Sequence, residues 1–111
     1  MGVITDTIRM HYLTNVKMDL EFKIQLVTQN RMELTEACND LMQVGSDYDS
    51  DNPIMKTLNQ RQQKLKILEQ KLEHQMEQYQ IRLKMVETEL SSCKQRIDKN
   101  IQEAFSYLIS S

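Results

Sequence analysis

The segment Gly45-Ser46-Asp47-Tyr48-Asp49-Ser50-Asp51-Asn52-Pro53 decides the fold. It gathers the chain's single proline and one of its two glycines with Asp, Asn and Ser, the residues that build turns. On either side, residues 3–44 and 54–111 contain no Gly or Pro. Those flanks are rich in Gln, Lys, Glu, Leu and Met, all good helix formers. Gly45 can take the left-handed conformation that ends helices. Asn52 can cap a new helix, with Pro53 at its first position, where a missing N–H costs nothing. The segment therefore reads as the bend between two long helices.

Hydrophobic spacing agrees. Before the bend, Leu13, Val16, Leu20, Ile24, Val27, Leu34, Cys38 and Leu41 recur at steps of three and four, with Arg31 filling the one gap. After it, Ile54 and Leu58 are followed by a stripe from Leu65 to Leu108, interrupted before Leu65 by Arg61. That stripe takes 12 steps over 43 residues, close to the period of a straight helix rather than a strict heptad. The first helix is expected over about 5–44, capped by Thr5 or Asp6, with a turn over 45–53 and a second helix over about 54–109. The fold class is all-α: a single domain consisting of a long antiparallel two-helix hairpin, coiled-coil-like, with the second helix longer.

In such a hairpin, residues whose numbers add to about 98 face each other. The first arm is then about 60 Å long and the second about 85 Å. Residues 97–111 overhang the first arm, carrying Ile97, Ile101, Ala104, Phe105, Leu108 and Ile109. An apolar stripe of this kind wants a partner. Ile4, Ile8, Met18, Phe22 and Leu26 form a second apolar face on the first arm, opposite the main stripe. Two-helix hairpins bury little on their own, and eight methionines suit adaptable helix interfaces. Ile97, Ile101, Ala104, Phe105, Leu108, Ile8, Met18, Phe22 and Leu26 are therefore the expected assembly surface. The expected partner is the chain itself, as a homo-oligomer, or another helical protein.

Charge and chemistry point away from other functions. Net charge is −2, and the basic residues of the second arm are interleaved with Glu, so no nucleic-acid partner is expected. Residues 1–52 hold four Lys/Arg against nine Asp/Glu, and residues 53–111 hold ten against seven, a difference that suits two arms side by side. No stretch reaches the ~18 apolar residues of a membrane span. No cleavable signal peptide is read at the N-terminus, and Met1-Gly2 fails the myristoylation motif because position 6 is Asp. The expected location is the cytoplasm, or outside it by export without a cleaved signal.

Asp47, Asp49 and Asp51 copy the first ligand spacing of a calcium loop, but Asn52 and Leu58 stand where Gly and Glu are needed. His11 and His74 are isolated in the sequence, and Cys38 and Cys93 fall too far apart in a hairpin to form a disulfide. The expectation is a protein that is not an enzyme and holds no metal or cofactor.

Two short motifs give a resemblance. Ser50-Asp51-Asn52-Pro53 followed by Ile54-Met55 is similar to the turn of type III secretion needle and axial proteins. Ile97-Asp98-Lys99-Asn100-Ile101-Gln102-Glu103-Ala104-Phe105 is similar to that family's C-terminal segment, with six residues following Phe105 in this chain. The resemblance implies a helical hairpin that polymerises into a filament, is exported without a cleaved signal, and packs its subunits through residues 97–105. The competing expectation is an adaptor or chaperone-like module that lends its apolar stripe to a different helical protein.

Overall fold

The computed structural model describes residues 2–110, and they form two helices, α1 (Val3–Ser46) and α2 (Pro53–Ser110), folded into an all-α hairpin. The helices divide into two compact units, one formed by residues 2–22 and 79–110, the other by residues 23–78.

In the first unit the segments run antiparallel. Arg9 donates to Glu89 at 3.0 Å, and Arg96 donates to Asp6 at 3.2 Å. As one number falls the other rises, and the pairs add to 98 and 102, close to the expected register. Leu13, Leu20 and Cys93 are buried at the seam. Leu13 and Leu20 are two turns apart, so both point at the same line on α2.

In the second unit the two segments are joined by the turn. Val27, Leu58 and Met76 are buried there. Leu34, Cys38 and Leu41 are only half-buried. Ile54 and Leu68 were expected on the stripe but stand exposed. Ile54 lies in the first turn of α2, beside the bend. By register, Leu68 falls opposite the neighbourhood of Arg31, where the α1 stripe lacks an apolar residue.

The helix ends differ from expectation in instructive ways. α1 starts at Val3, not at Thr5 or Asp6, because the Gly2 carbonyl accepts the first helical bond from the Asp6 N–H at 3.2 Å. Asp6 instead lies in the first turn, where a carboxylate complements the helix dipole. α1 runs through Gly45 to Ser46. No described glycine has a positive φ, so Gly45 does not provide the left-handed stop expected of it. The helix tightens instead: the N–H groups of Asp47 and Tyr48 reach back three residues to Val44 and Gly45, and the Ser46 hydroxyl donates to the Gln43 carbonyl. The start of α2 follows expectation. The Asn52 side chain accepts from the Ile54 N–H at 3.0 Å, and Pro53 occupies the first helical position.

Threonines at exposed positions of both helices keep their hydroxyls occupied locally. Thr14, Thr28, Thr35 and Thr88 each donate to the carbonyl four residues back, at 2.7 to 2.9 Å. The Arg9–Glu89 pair is about half exposed and contributes about 0 to 1 kcal/mol, while in the second pair an exposed Arg96 meets a largely covered Asp6. Of these two pairs, Asp6–Arg96 joins acid on the first arm to base on the second, and Arg9–Glu89 runs the other way. Apolar burial, not the charge difference between the arms, holds the seam.

Two substitutions test this account. Leu20→Ala, at a buried position, is expected to cost about 2 to 4 kcal/mol, whereas Phe22→Ala, on the outer face, should stay within about 0.5 kcal/mol. Both are read from urea unfolding followed by circular dichroism, and equal costs would mean that the seam has been placed on the wrong face. A Cβ on Gly45 would lie 3.9 to 4.0 Å from Met55 and Leu58, ordinary contact. Gly45→Ala should therefore stabilise the chain by about 0.5 to 1 kcal/mol. A lower Tm for this variant would show that Gly45 is needed where α1 ends.

Candidate functional site

The most distinctive surface lies at the C-terminal end of α2, in the first unit. Residues 101–110 are helical and all exposed. Helix formation there is local: nothing after Pro53 breaks the pattern. The Ser110 hydroxyl donates to the Tyr107 carbonyl at 3.1 Å and so helps close the last turn. Lys99 and Glu103 lie one turn apart with their charged groups 4.0 Å apart.

This polar frame carries large apolar side chains. Ile101 is 53% exposed, Phe105 63%, Tyr107 75%, Leu108 73% and Ile109 69%. Ile101, Ala104 and Leu108 continue the line of the buried seam. Phe105 and Tyr107 flank that line on either side, at roughly 100° of rotation per residue. Ile97 was expected in the exposed overhang, but it is half-buried. The cause is the earlier start of α1, which carries the seam on to Val3. The uncovered stripe therefore begins at Ile101.

The second apolar surface is the outer face of α1. In the first unit, Ile4, Ile8, Met18 and Phe22 are all more than half exposed. Tyr12 stands exposed beside them, with the Arg9 guanidinium 6.0 Å from its ring centroid. Leu26 belongs to the second unit and is also exposed. Sequence reasoning missed Ile81 and Met85, exposed together on α2, and Tyr107 in the tail. The signal was available for Ile81 and Met85: they lie one turn apart on the side of α2 away from Leu83 and Val86.

Between the helices of the first unit, a cleft of about 320 Å³ is lined by Arg9, Thr88, Glu89, Ser92, Cys93 and Arg96. Cys93 forms its floor, and the Arg96 guanidinium donates to Sγ at 3.1 Å. In the second unit, a groove of about 440 Å³ lies along Thr28, Arg31, Met32, Thr35, Glu36 and Met76, where Arg31 interrupts the seam. Asn52 and Pro53 line a third groove, at the turn. None of the three brings a nucleophile together with a base and a group to orient it. His74 is paired with Gln78 at 3.3 Å on the α2 surface, and His11 is exposed on α1. Among the described residues, no group of three or more His, Cys, Asp or Glu side chains is placed to hold a metal ion, Asp47, Asp49 and Asp51 included. Among them, too, no helix is long and apolar enough to cross a membrane.

Both cysteines are free thiols, Cys93 buried and Cys38 half-buried. In a thiol-reagent time course on the folded protein, Cys38 should react first and Cys93 only as fast as the hairpin opens. Equal rates would show that the cleft over Cys93 opens readily in solution.

No protein-family model, curated protein or solved structure matches the chain, so its classification rests on the all-α hairpin itself.

Proposed function

We propose that this chain is a non-enzymatic structural subunit that self-associates through the exposed C-terminal turns of α2. One observation carries the reading: five large apolar side chains lie within ten consecutive exposed residues, on a helix that continues the buried seam. Concentrated apolar exposure of this kind marks an association surface. A two-helix seam with so few buried side chains also gains proportionately from added burial.

The similarity of the turn Ser50-Asp51-Asn52-Pro53 and the segment 97–105 to those of type III secretion needle and axial proteins supports reading the chain as a subunit of a secretion or filament apparatus. Such a subunit works in the cytoplasm or after export without a cleaved signal. A second reading, an adaptor or chaperone-like module for another helical protein, is favoured by the outer face of α1, where Ile8, Met18 and Phe22 stand exposed.

Light scattering over a concentration series decides between them. The wild-type chain should grow in mass with concentration. An Ile101→Asp, Phe105→Asp variant should keep its helical circular dichroism and remain monomeric, since both positions lie outside the buried seam. A wild-type chain that stays monomeric throughout would remove the self-association reading and leave the adaptor. A variant that still associates would move the assembly surface away from the tail.

A further inference from the structure

Building on the self-association reading, we infer that associated copies also pack side by side through the second unit. The outer side of α2 in one copy takes the outer side of α1 in the next, acid against base. Two observations carry this arrangement, one of charge and one of spacing.

Residues 33–51 hold six Asp/Glu and no Lys/Arg, whereas residues 56–71 hold five Lys/Arg and one Glu. The two stretches lie on neighbouring helices of the same unit, yet among the described residues no ion pair joins them. Helix rotation explains this. Glu33 and Asp40 stand roughly 120° from the seam line through Leu34, Cys38 and Leu41, and Lys64 and Lys71 stand at a similar angle from Leu58, Leu65 and Leu72, on the same flank. All four charged side chains are exposed. Each helix therefore turns its row away from the other and toward a neighbour.

The spacing of the rows matches. Glu33 and Asp40 are seven residues apart, and so are Lys64 and Lys71. In an antiparallel pair of helices, residues on the same flank meet. With α1 of the next copy laid antiparallel on α2, its Glu33 comes level with Lys71 and its Asp40 with Lys64. Both pairs add to 104, and Asp47 with Lys56 continues the ladder at 103. Within one chain, facing residues near the bend add to about 99, because α1 ends at Ser46 and α2 begins at Pro53. The next copy is thus slid by about five residues, roughly 7 to 8 Å, away from the bend. The end of its α1 then lies over a groove of about 420 Å³ lined by Lys56, Asn59, Gln60 and Gln63 and closed at the bend by Ser50 and Asp51. Met32 and Ile67, both more than half exposed, add apolar area to the two faces.

The occupant is a second copy because every chain carries both rows, on different helices of one unit. Each contact leaves an acidic row free at one end and a basic row at the other, so stacking continues as an open, head-to-tail series. Exposed ion pairs are weak singly. The ladder therefore acts on chains that the tail of α2 has already brought together.

Carbodiimide cross-linking, which joins a carboxylate to a lysine amine in contact with it, tests the ladder. Peptides are identified by mass spectrometry from the band of twice the chain mass. The Glu33–Lys71 and Asp40–Lys64 links should exceed Glu33–Lys64 and Asp40–Lys71, which lie about seven residues or roughly 10 Å out of register, by about fivefold. Raising salt from about 0.1 M to about 1 M shortens the screening length from about 10 Å to about 3 Å and should cut the links about tenfold. Association through the apolar tail, read by light scattering, should persist. A Glu33→Lys, Asp40→Lys chain and a Lys64→Glu, Lys71→Glu chain, with helicity checked by circular dichroism, should each lose the links alone. Mixed together, they should regain links between positions 33 and 71 and between 40 and 64. Links in another register, a mixture that stays unlinked, or no links in a wild-type sample that scattering shows to be associated would overturn the ladder and leave the tail reading standing. A wild-type sample monomeric at every concentration would overturn both.

Discussion

The structure depends, within each of its two units, on apolar contact where α1 and α2 meet. Leu13, Leu20 and Cys93 in one unit, and Val27, Leu58 and Met76 in the other, are its buried residues. Burial of a leucine-sized side chain contributes about 1.5 to 3 kcal/mol, and ordering the backbone costs about 1 to 2 kcal/mol per residue. Two helices side by side have no second layer to add to the first term. Local devices must therefore lower the entropic cost: good helix formers, and Asn52 capping α2 before Pro53.

The same constraint links fold to function. Outside the seam, the described residues expose large apolar side chains on their surfaces. Two of those surfaces stand out. The tail of α2 prolongs the seam with Ile101, Ala104 and Leu108, and α1 shows Ile8, Met18 and Phe22 on its outer side. The proposed association through the tail would repeat, between chains, the interaction that already holds each chain together.

Much of the architecture was legible in the residue pattern. The turn composition and the steps of three and four led to two antiparallel helices, and the ion pairs Arg9–Glu89 and Asp6–Arg96 lie close to the expected register. Less legible were the features that depend on where one helix meets the other. Gly45 has the composition of a helix stop, yet α1 continues through it. Leu68 matches the stripe but finds no apolar counterpart near Arg31. Ile97 looks like part of a free overhang, but α1 begins at Val3 and half covers it. Ile81 and Met85 were hidden by attention to the main stripe, though their spacing puts them on one exposed face.

By itself the sequence determined the helices, the site of the bend and the pairing of apolar faces, because propensity, turn chemistry and periodicity act over a few residues. The tertiary structure alone decided which members of those stripes are buried. Burial depends on what stands opposite, and that follows from the register of the two helices and the points where α1 begins and ends. The exposed stripe therefore starts at Ile101 rather than Ile97: the periodicity runs through both positions, but α1 covers only the first.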